Sequence, residues 1–172
     1  MDVTLLILAY NQAGTLARAI RSCLGQYAPG RSVEVLVIDD GSQDDTPQVV
    51  QSFGRSVVTL RMEVNQGVGF CSNLGVLQAR GKYIMRVDAD DFLSAVAVEV
   101  MAQVLDFNAN CGFVYSDHYL VDTRGMKIDR VRLESLKQLA KRGAGVLFRR
   151  DVVVQVGNYD RNLRDGEDYD LI

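Results

Sequence analysis

The segment Tyr83-Ile84-Met85-Arg86-Val87-Asp88-Ala89-Asp90-Asp91 decides how this chain folds. Its first five residues form a short, mostly apolar run of strand length, introduced by the break Gly81-Lys82. Three carboxylates follow at once. Like charges this close repel and raise one another's pKa unless a cation or a set of donors sits among them. In an open α/β sheet, the carboxyl end of a strand is where ligands bind. Acids at that position point to an oxygen-preferring divalent ion, Mg²⁺ or Mn²⁺, holding a substrate phosphate. The other reading is a solvated acidic turn in which Asp91 or Ser94 caps the next helix. Both make Tyr83–Val87 a buried strand.

The same alternation extends outward. Val3–Ala9 is a continuous apolar run, as a parallel strand covered on both faces requires. Thr15 is expected to cap a helix whose inner face is Leu16, Ile20, Cys23 and Leu24, ending near Gly25. Val33–Ile38 is a second buried strand, after which Thr46 caps and Pro47 opens a helix to about Phe53. Val57–Met62 is a third strand, and a small-residue helix runs from Phe70 to about Arg80. Beyond the acidic cluster a helix is expected from about Ser94 to Phe107. This order predicts a three-layer α/β/α fold with a mostly parallel sheet and right-handed crossovers. The pattern then changes to short strands at Gly112–Ser116, Tyr119–Asp122, Lys127–Val131 and Val146–Arg149. A turn is expected at Thr123-Arg124-Gly125-Met126, a helix over Leu133–Arg142 and an apolar helical turn at Val152–Val156.

Size and composition narrow the classes. The 172 residues, 48% of them hydrophobic, can bury one sizeable core, and no linker or repeat argues for a second domain. A net charge of −3 offers no basic field for nucleic acid, so phosphate must be held by backbone amides, a metal and a few placed cations. The apolar stretch at the N-terminus is too short for a signal peptide, and no run has the length of a membrane span. Cys23, Cys71 and Cys111 are far apart and form no CxxC, which fits a reducing cytoplasmic setting. His118 is the only histidine, which excludes a multi-histidine zinc site and leaves acid–base chemistry to carboxylates.

A second acidic edge, Asp39-Asp40-Gly41-Ser42, follows the second strand as Asp88-Ala89-Asp90 follows the fourth. Two such edges on one rim of a sheet form a cleft; read alone, the first is an Asx-type turn before a helix. Gly67-Val68-Gly69 is not a dinucleotide fingerprint, because Ser72 stands where the third glycine belongs. Gly69 and Gly75 read instead as close-packing positions. Glu167-Asp168-Tyr169-Asp170 on its own reads as a solvated helix start.

Taken in order, Tyr10-Asn11, Asp39-Asp40-Gly41-Ser42 with Thr46, Asn65-Gln66-Gly67, Asn73-Leu74-Gly75 and Ala79-Arg80-Gly81-Lys82-Tyr83-Ile84 form a connected series. Asp88-Ala89-Asp90-Asp91, Gly157-Asn158-Tyr159-Asp160 and Glu167-Asp168-Tyr169-Asp170-Leu171 complete it. The whole resembles the family 2 glycosyltransferases of the GT-A fold. The resemblance implies transfer of a sugar from a nucleotide-diphosphate donor, a UDP-sugar foremost, to a hydroxyl of a saccharide or lipid-linked acceptor, with inversion. It implies that Tyr10 and Asp40 contact the nucleobase, with Asn11 and Asp39 beside them. Asp88 would face the ribose or donor sugar and Asp90 would ligate Mg²⁺ or Mn²⁺, with Asp88 alongside in an Asp-x-Asp motif. Asp168 would be the general base. One domain over residues 1–172 is expected, with a nucleotide-binding half to about 110 and an acceptor side from about 111.

Two departures stand out. Ser72 precedes Asn73 where family members commonly carry Arg, which removes a donor contact. Family chains also continue past the Glu-Asp motif, so an incomplete acceptor side is expected here. The competing expectation is a truncated nucleotide-sugar-binding module that works with a partner. Family analogy places the activity in surface polysaccharide or glycolipid assembly, in the cytoplasm or at the inner face of the membrane, and is compatible with peripheral membrane association and a homo-oligomer.

Overall fold

The computed structural model describes residues 1–135, 138 and 145–160. Its elements, in chain order, are β1 (Val3–Ala9), α1 (Leu16–Leu24), β2 (Val33–Asp39), α2 (Thr46–Gln51), β3 (Val58–Arg61), α3 (Val68–Gln78) and β4 (Tyr83–Asp88). They continue with α4 (Ala97–Phe107), β5 (Phe113–Tyr115), β6 (His118–Val121), β7 (Lys127–Val131), β8 (Val146–Arg149) and α5 (Arg150–Gln155). The main sheet has the order β3-β2-β1-β4-β8-β5. Its first four strands are parallel, β8 lies antiparallel to β4, and β5 antiparallel to β8. β6 and β7 form a separate antiparallel hairpin turned at Gly125, where φ is +82°.

The expected alternation is therefore present, and its cause is visible in the burial. β1 and β2 are buried on both faces, so neither face needs polar residues. Successive side chains alternate between two cores. Val3, Leu5, Ile7, Val35, Val37, Met85 and Val87 pack with α1, α2 and α4, whereas Leu6, Leu36, Ile38 and Ile84 pack with α3 and α5. Gly75 is a close-packing position, as expected: a Cβ there would lie 2.3 Å from Leu6 Cδ2, so α3 rests directly on β1.

Glu34 breaks the apolar run of β2 at the opposite edge from the acidic loops. It is buried, accepts the Thr4 hydroxyl at 2.7 Å and the Arg80 Nε–H at 2.6 Å, and receives the Arg80 backbone N–H at 3.1 Å. Burial works to raise its pKa, but these donors outweigh it and the net shift is downward. Thr4 in turn accepts Gly81 N–H at 2.9 Å, so one carboxylate pins the start of β4 to β1 and β2.

A second network closes the same edge. Asp106 accepts the Tyr83 hydroxyl at 2.6 Å, Arg31 Nη1 at 2.7 Å and Lys82 Nζ at 3.0 Å. The Tyr83 hydrogen bond, then the Arg31 and Lys82 contacts, hold its carboxyl far below the usual range. A carboxyl depressed on folding stabilises the native state above its unfolded pKa, near 4, and that contribution is lost as pH falls from there. Asp106→Asn should therefore lower Tm by about 2–4 °C at pH 7, about 1 kcal/mol for a partly exposed group. It should also flatten the loss of stability below pH 4, read by calorimetry across pH 3–7.

Several helix starts differ from expectation. Thr15 flanks α1 but makes no side-chain cap; its hydroxyl donates to Gln12 Oε1 at 2.9 Å. Thr46 is inside α2, not its cap, and its buried hydroxyl accepts Gln12 N–H at 2.8 Å. Gln12, outside both helices, engages both hydroxyls: its side chain takes that of Thr15 and its backbone N–H that of Thr46. α4 begins at Ala97 rather than Ser94, because Ser94 and Ala95 carbonyls are taken by Gln26 and Tyr27. The helix expected over Leu133–Arg142 falls largely outside the described residues, and Glu167–Leu171 entirely so.

Candidate functional site

The chain builds β1, β2 and β3 outward in one direction and then crosses to place β4 on the other side of β1. Such a reversal of strand order opens a crevice at the carboxyl ends of the two central strands. Register fixes the rim: Ala9 lies opposite Asp39, and Leu8 opposite Asp88. Asp39 and Asp88 are thus two strand spacings apart, about 10 Å. Both acidic edges read from the sequence share one rim.

Two loops form one wall of this crevice. Asn11 N–H donates to Ser42 Oγ at 2.9 Å, Gln12 N–H to Thr46 Oγ1 at 2.8 Å and Ala13 N–H to Asp44 Oδ2 at 3.1 Å. The Asn11 amide oxygen accepts Gln43 N–H at 2.9 Å in return. Asn11 adopts φ +54°, a left-handed conformation that asparagine tolerates better than most residues. The side chains of Asn11, Ser42 and Thr46 are thereby engaged in joining the two loops. Tyr10 stands on the rim, 46% exposed, its ring open to a flat partner.

Asp39 is buried, accepting Ser42 N–H at 3.0 Å and pairing with Arg61 Nε at 3.2 Å. Asp40 is also buried, and its two oxygens accept Gln66 N–H at 2.7 Å and Gly67 N–H at 2.9 Å. The carboxylate bridges two successive amides just before α3. Its evident role is to hold the Asn65-Gln66-Gly67 loop against the rim. Gly41 permits this approach: at φ +76°, a Cβ there would lie 2.7 Å from the Val64 carbonyl carbon.

At the end of β4, Asp88 is partly exposed and lies 3.5 Å from Nε of Arg86, whose side chain is only 10% exposed. Asp90 and Asp91 face solvent on the following turn, closed by Asp91 N–H to the Asp88 carbonyl at 3.0 Å. Although Asp91 is exposed overall, partial desolvation of its carboxyl comes first, and the charges of Asp88 and Asp90 second, in raising it above its usual range, while His118 and Arg18 pull the other way. Neither Asp91 nor Ser94 caps α4, whose flanking residue is Val96.

These residues fit a divalent ion. No group of three or more Cys, His, Asp or Glu side chains is arranged as a metal site among the described residues. Mg²⁺ does not need one, because it usually keeps several waters and takes one or two carboxylates plus substrate phosphates. Asp88, partly exposed, and Asp90, exposed, supply two accessible carboxylates.

Three side chains that sequence reading left unassigned hold this acidic loop. Arg18, Ser22 and Gln26 recur every four residues from the start of α1 to just past its end. Arg18 Nη2 donates to the Asp90 carbonyl at 3.0 Å, and Ser22 Oγ accepts Leu93 N–H at 3.0 Å. Gln26 donates to the Ser94 carbonyl at 2.8 Å and accepts Val98 N–H at 3.0 Å. A polar stripe with a four-residue repeat was the available signal. Asn73 clamps a different segment in a comparable way. Its amide donates to the Tyr159 carbonyl at 2.8 Å and accepts Tyr159 N–H at 2.9 Å. Ser72, where the family's arginine was expected, is fully buried in α3, and its hydroxyl has no hydrogen-bond partner among the described residues. Asp168 lies outside the described residues.

The chain belongs to glycosyl transferase family 2, which its residues 4–156 match. It is similar to the succinoglycan biosynthesis protein ExoO of Rhizobium meliloti (strain 1021), at 34% identity over 191 residues, covering 99% of this chain and 54% of ExoO. It is also similar to the chondroitin synthase of Escherichia coli, at 34% identity over 125 residues, covering 72% of this chain and 18% of the synthase. The chain thus spans about half the length of ExoO. The fold is that of S. aureus TarS 1–349 in complex with UDP, with TM-score 0.81 at 21% identity, covering 98% of this chain and 53% of that one. The mannosyltransferase PcManGT from Pyrobaculum calidifontis, in complex with GDP-Man and Mn²⁺, gives TM-score 0.77 at 16% identity, covering 98% and 50%. These likenesses establish the GT-A fold. Among the described residues, no helix is long and apolar enough to cross a membrane.

Proposed function

We propose that this protein is an inverting, metal-assisted glycosyltransferase that moves a sugar from a nucleotide-diphosphate donor to an acceptor hydroxyl. One observation carries the reading: an open aromatic ring, two acidic strand ends and an aspartate turn converge on one rim at the strand-order reversal. The complexes of TarS with UDP and UDP-GlcNAc, and of PcManGT with GDP-Man and Mn²⁺, support a nucleotide-sugar donor and a divalent ion. The relation to ExoO and chondroitin synthase supports a role in surface polysaccharide or glycolipid assembly. The setting proposed for it is the cytoplasm or the inner face of the membrane.

In this reading Tyr10 stacks on the base, and Asp39 and Asp40 shape the base pocket through the loops they hold. Asp88 faces the ribose or sugar, and Asp90, with Asp88, holds Mg²⁺ or Mn²⁺. When bound, that ion neutralises charge on the departing diphosphate as a Lewis acid. The acceptor oxygen attacks the anomeric carbon from the face opposite the diphosphate, whose bond breaks with its electron pair, so the centre inverts. Asp168 takes the hydroxyl proton. This division of labour needs one carboxylate set for the leaving group and a separate base, as in inverting glycosidases.

The test is calorimetric titration of UDP and GDP, each with Mn²⁺, into wild type and Asp90→Asn. Wild type should bind one nucleotide with Mn²⁺-dependent affinity, and the variant should lose at least tenfold of that dependence. Equal metal dependence in both proteins would remove Asp90 from the role.

A further inference from the structure

We infer that Arg18 is a positioning residue for the cation-binding turn, acting through the peptide of Asp90; the inference rests on the donor-site reading above. The turn between β4 and α4 is irregular over Ala89–Val96, and an irregular segment holds a carboxylate in one place only if its backbone is tied down. From Leu93 onward the ties come from Ser22 and Gln26. At Asp90 itself the tie is Arg18, whose Nη2 meets the carbonyl at 3.0 Å.

The guanidinium is itself fixed. Its carbon lies 4.7 Å from the centre of the Phe92 ring, so the cation spans the turn, with Asp90 at one end and Phe92 at the other. Its Nε is buried without an acceptor among the described residues, although a methionine or leucine would fill the same space without that cost. Packing alone therefore does not account for an arginine here. The donated hydrogen bond does, because holding the Asp90 carbonyl fixes the orientation of the residue that must present its carboxylate to the ion. Arg18 makes its contacts with the Asp90 carbonyl and the Phe92 ring. It acts as second-layer residues do around other metal ligands, whose loss typically costs 10–100-fold in metal affinity.

The experiment compares wild type, Arg18→Met, Arg18→Lys and Asp90→Asn as full chains. Mn²⁺ is titrated at saturating UDP, and free ion is followed by its electron paramagnetic resonance signal. Arg18→Met puts an unbranched, apolar side chain there and loses every donor together with the cation over Phe92. It should weaken Mn²⁺ binding 10–100-fold while its melting temperature without metal stays within about 3 °C of wild type. Arg18→Lys restores one donor and the charge, and should recover at least half of the lost binding free energy. Unchanged Mn²⁺ affinity in Arg18→Met, alongside loss in Asp90→Asn, would overturn the role of Arg18 and leave the donor site standing. Unchanged affinity in Asp90→Asn would overturn the ion's assignment to Asp90, and the role of Arg18 with it.

Discussion

Asp168→Asn should reduce sugar transfer by about 10²–10⁴-fold while leaving nucleotide binding within twofold of wild type. Asparagine keeps the shape of the side chain but cannot take up the acceptor proton at neutral pH. The attacking oxygen would then carry that proton into the transition state, and the reaction would keep only what positioning and leaving-group stabilisation provide. Nucleoside diphosphate release from UDP-GlcNAc and other donors, with and without saccharide acceptors, reads the rate; calorimetry with UDP and Mn²⁺ reads binding. A parallel fall in both would make Asp168 a structural residue. The contrast with Asp90→Asn is diagnostic, since that variant is expected to fail in binding first.

Asp40→Asn should have a large effect of a different kind. The carboxylate accepts from two backbone amides, at Gln66 and Gly67, in a buried setting. An asparagine must turn its NH₂ toward one of them, replacing an acceptor by a donor. Loss of one charge-assisted hydrogen bond with a stranded amide costs about 2–3 kcal/mol. For a chain of this size that corresponds to a Tm about 5–10 °C lower, without any nucleotide present. Donor affinity should fall as well, because the loop before α3 is released from the rim. A variant with unchanged Tm but tenfold weaker UDP binding would instead put Asp40 in direct contact with the base.

The fold was legible where burial is two-sided. Val3–Ala9 and Val146–Arg149 run over the expected residues, and Val33–Ile38 and Tyr83–Val87 each extend one residue further, into Asp39 and Asp88. Those extensions matter, because they set both acids at strand ends rather than in free loops. The common rim was readable too, since parallel strands joined by helices must all end on the same side. The attachments between loops were not. Thr46, Asn11 and Ser42 have the chemistry of caps and turns, and only the approach of β1 to β2 shows that they bond to one another. Arg18, Ser22 and Gln26 lie off the apolar positions of α1, and pattern alone cannot tell a face toward water from one toward an irregular loop. Asp40 was read as a ligand contact, and only the path of the Gln66-Gly67 backbone shows how fully it is already engaged.

The antiparallel insertion of β8 carries a consequence for how the chain assembles. β1 to β4 pair among themselves, each with a neighbour close in sequence or one crossover away. β5 has no such neighbour among the described residues: in the sheet it touches β8 alone, and β8 begins thirty-one residues after β5 ends. During synthesis β1–β4 can therefore close their parallel sheet while Phe113–Tyr115 still waits for its partner. Placing β8 is a late, long-range event that pays the entropy of closing a large loop. Until then the outer edge of β4 is an unpaired strand, open to a foreign chain. The fold thus separates its history in time, the parallel β1–β4 sheet first and its antiparallel β8–β5 extension last.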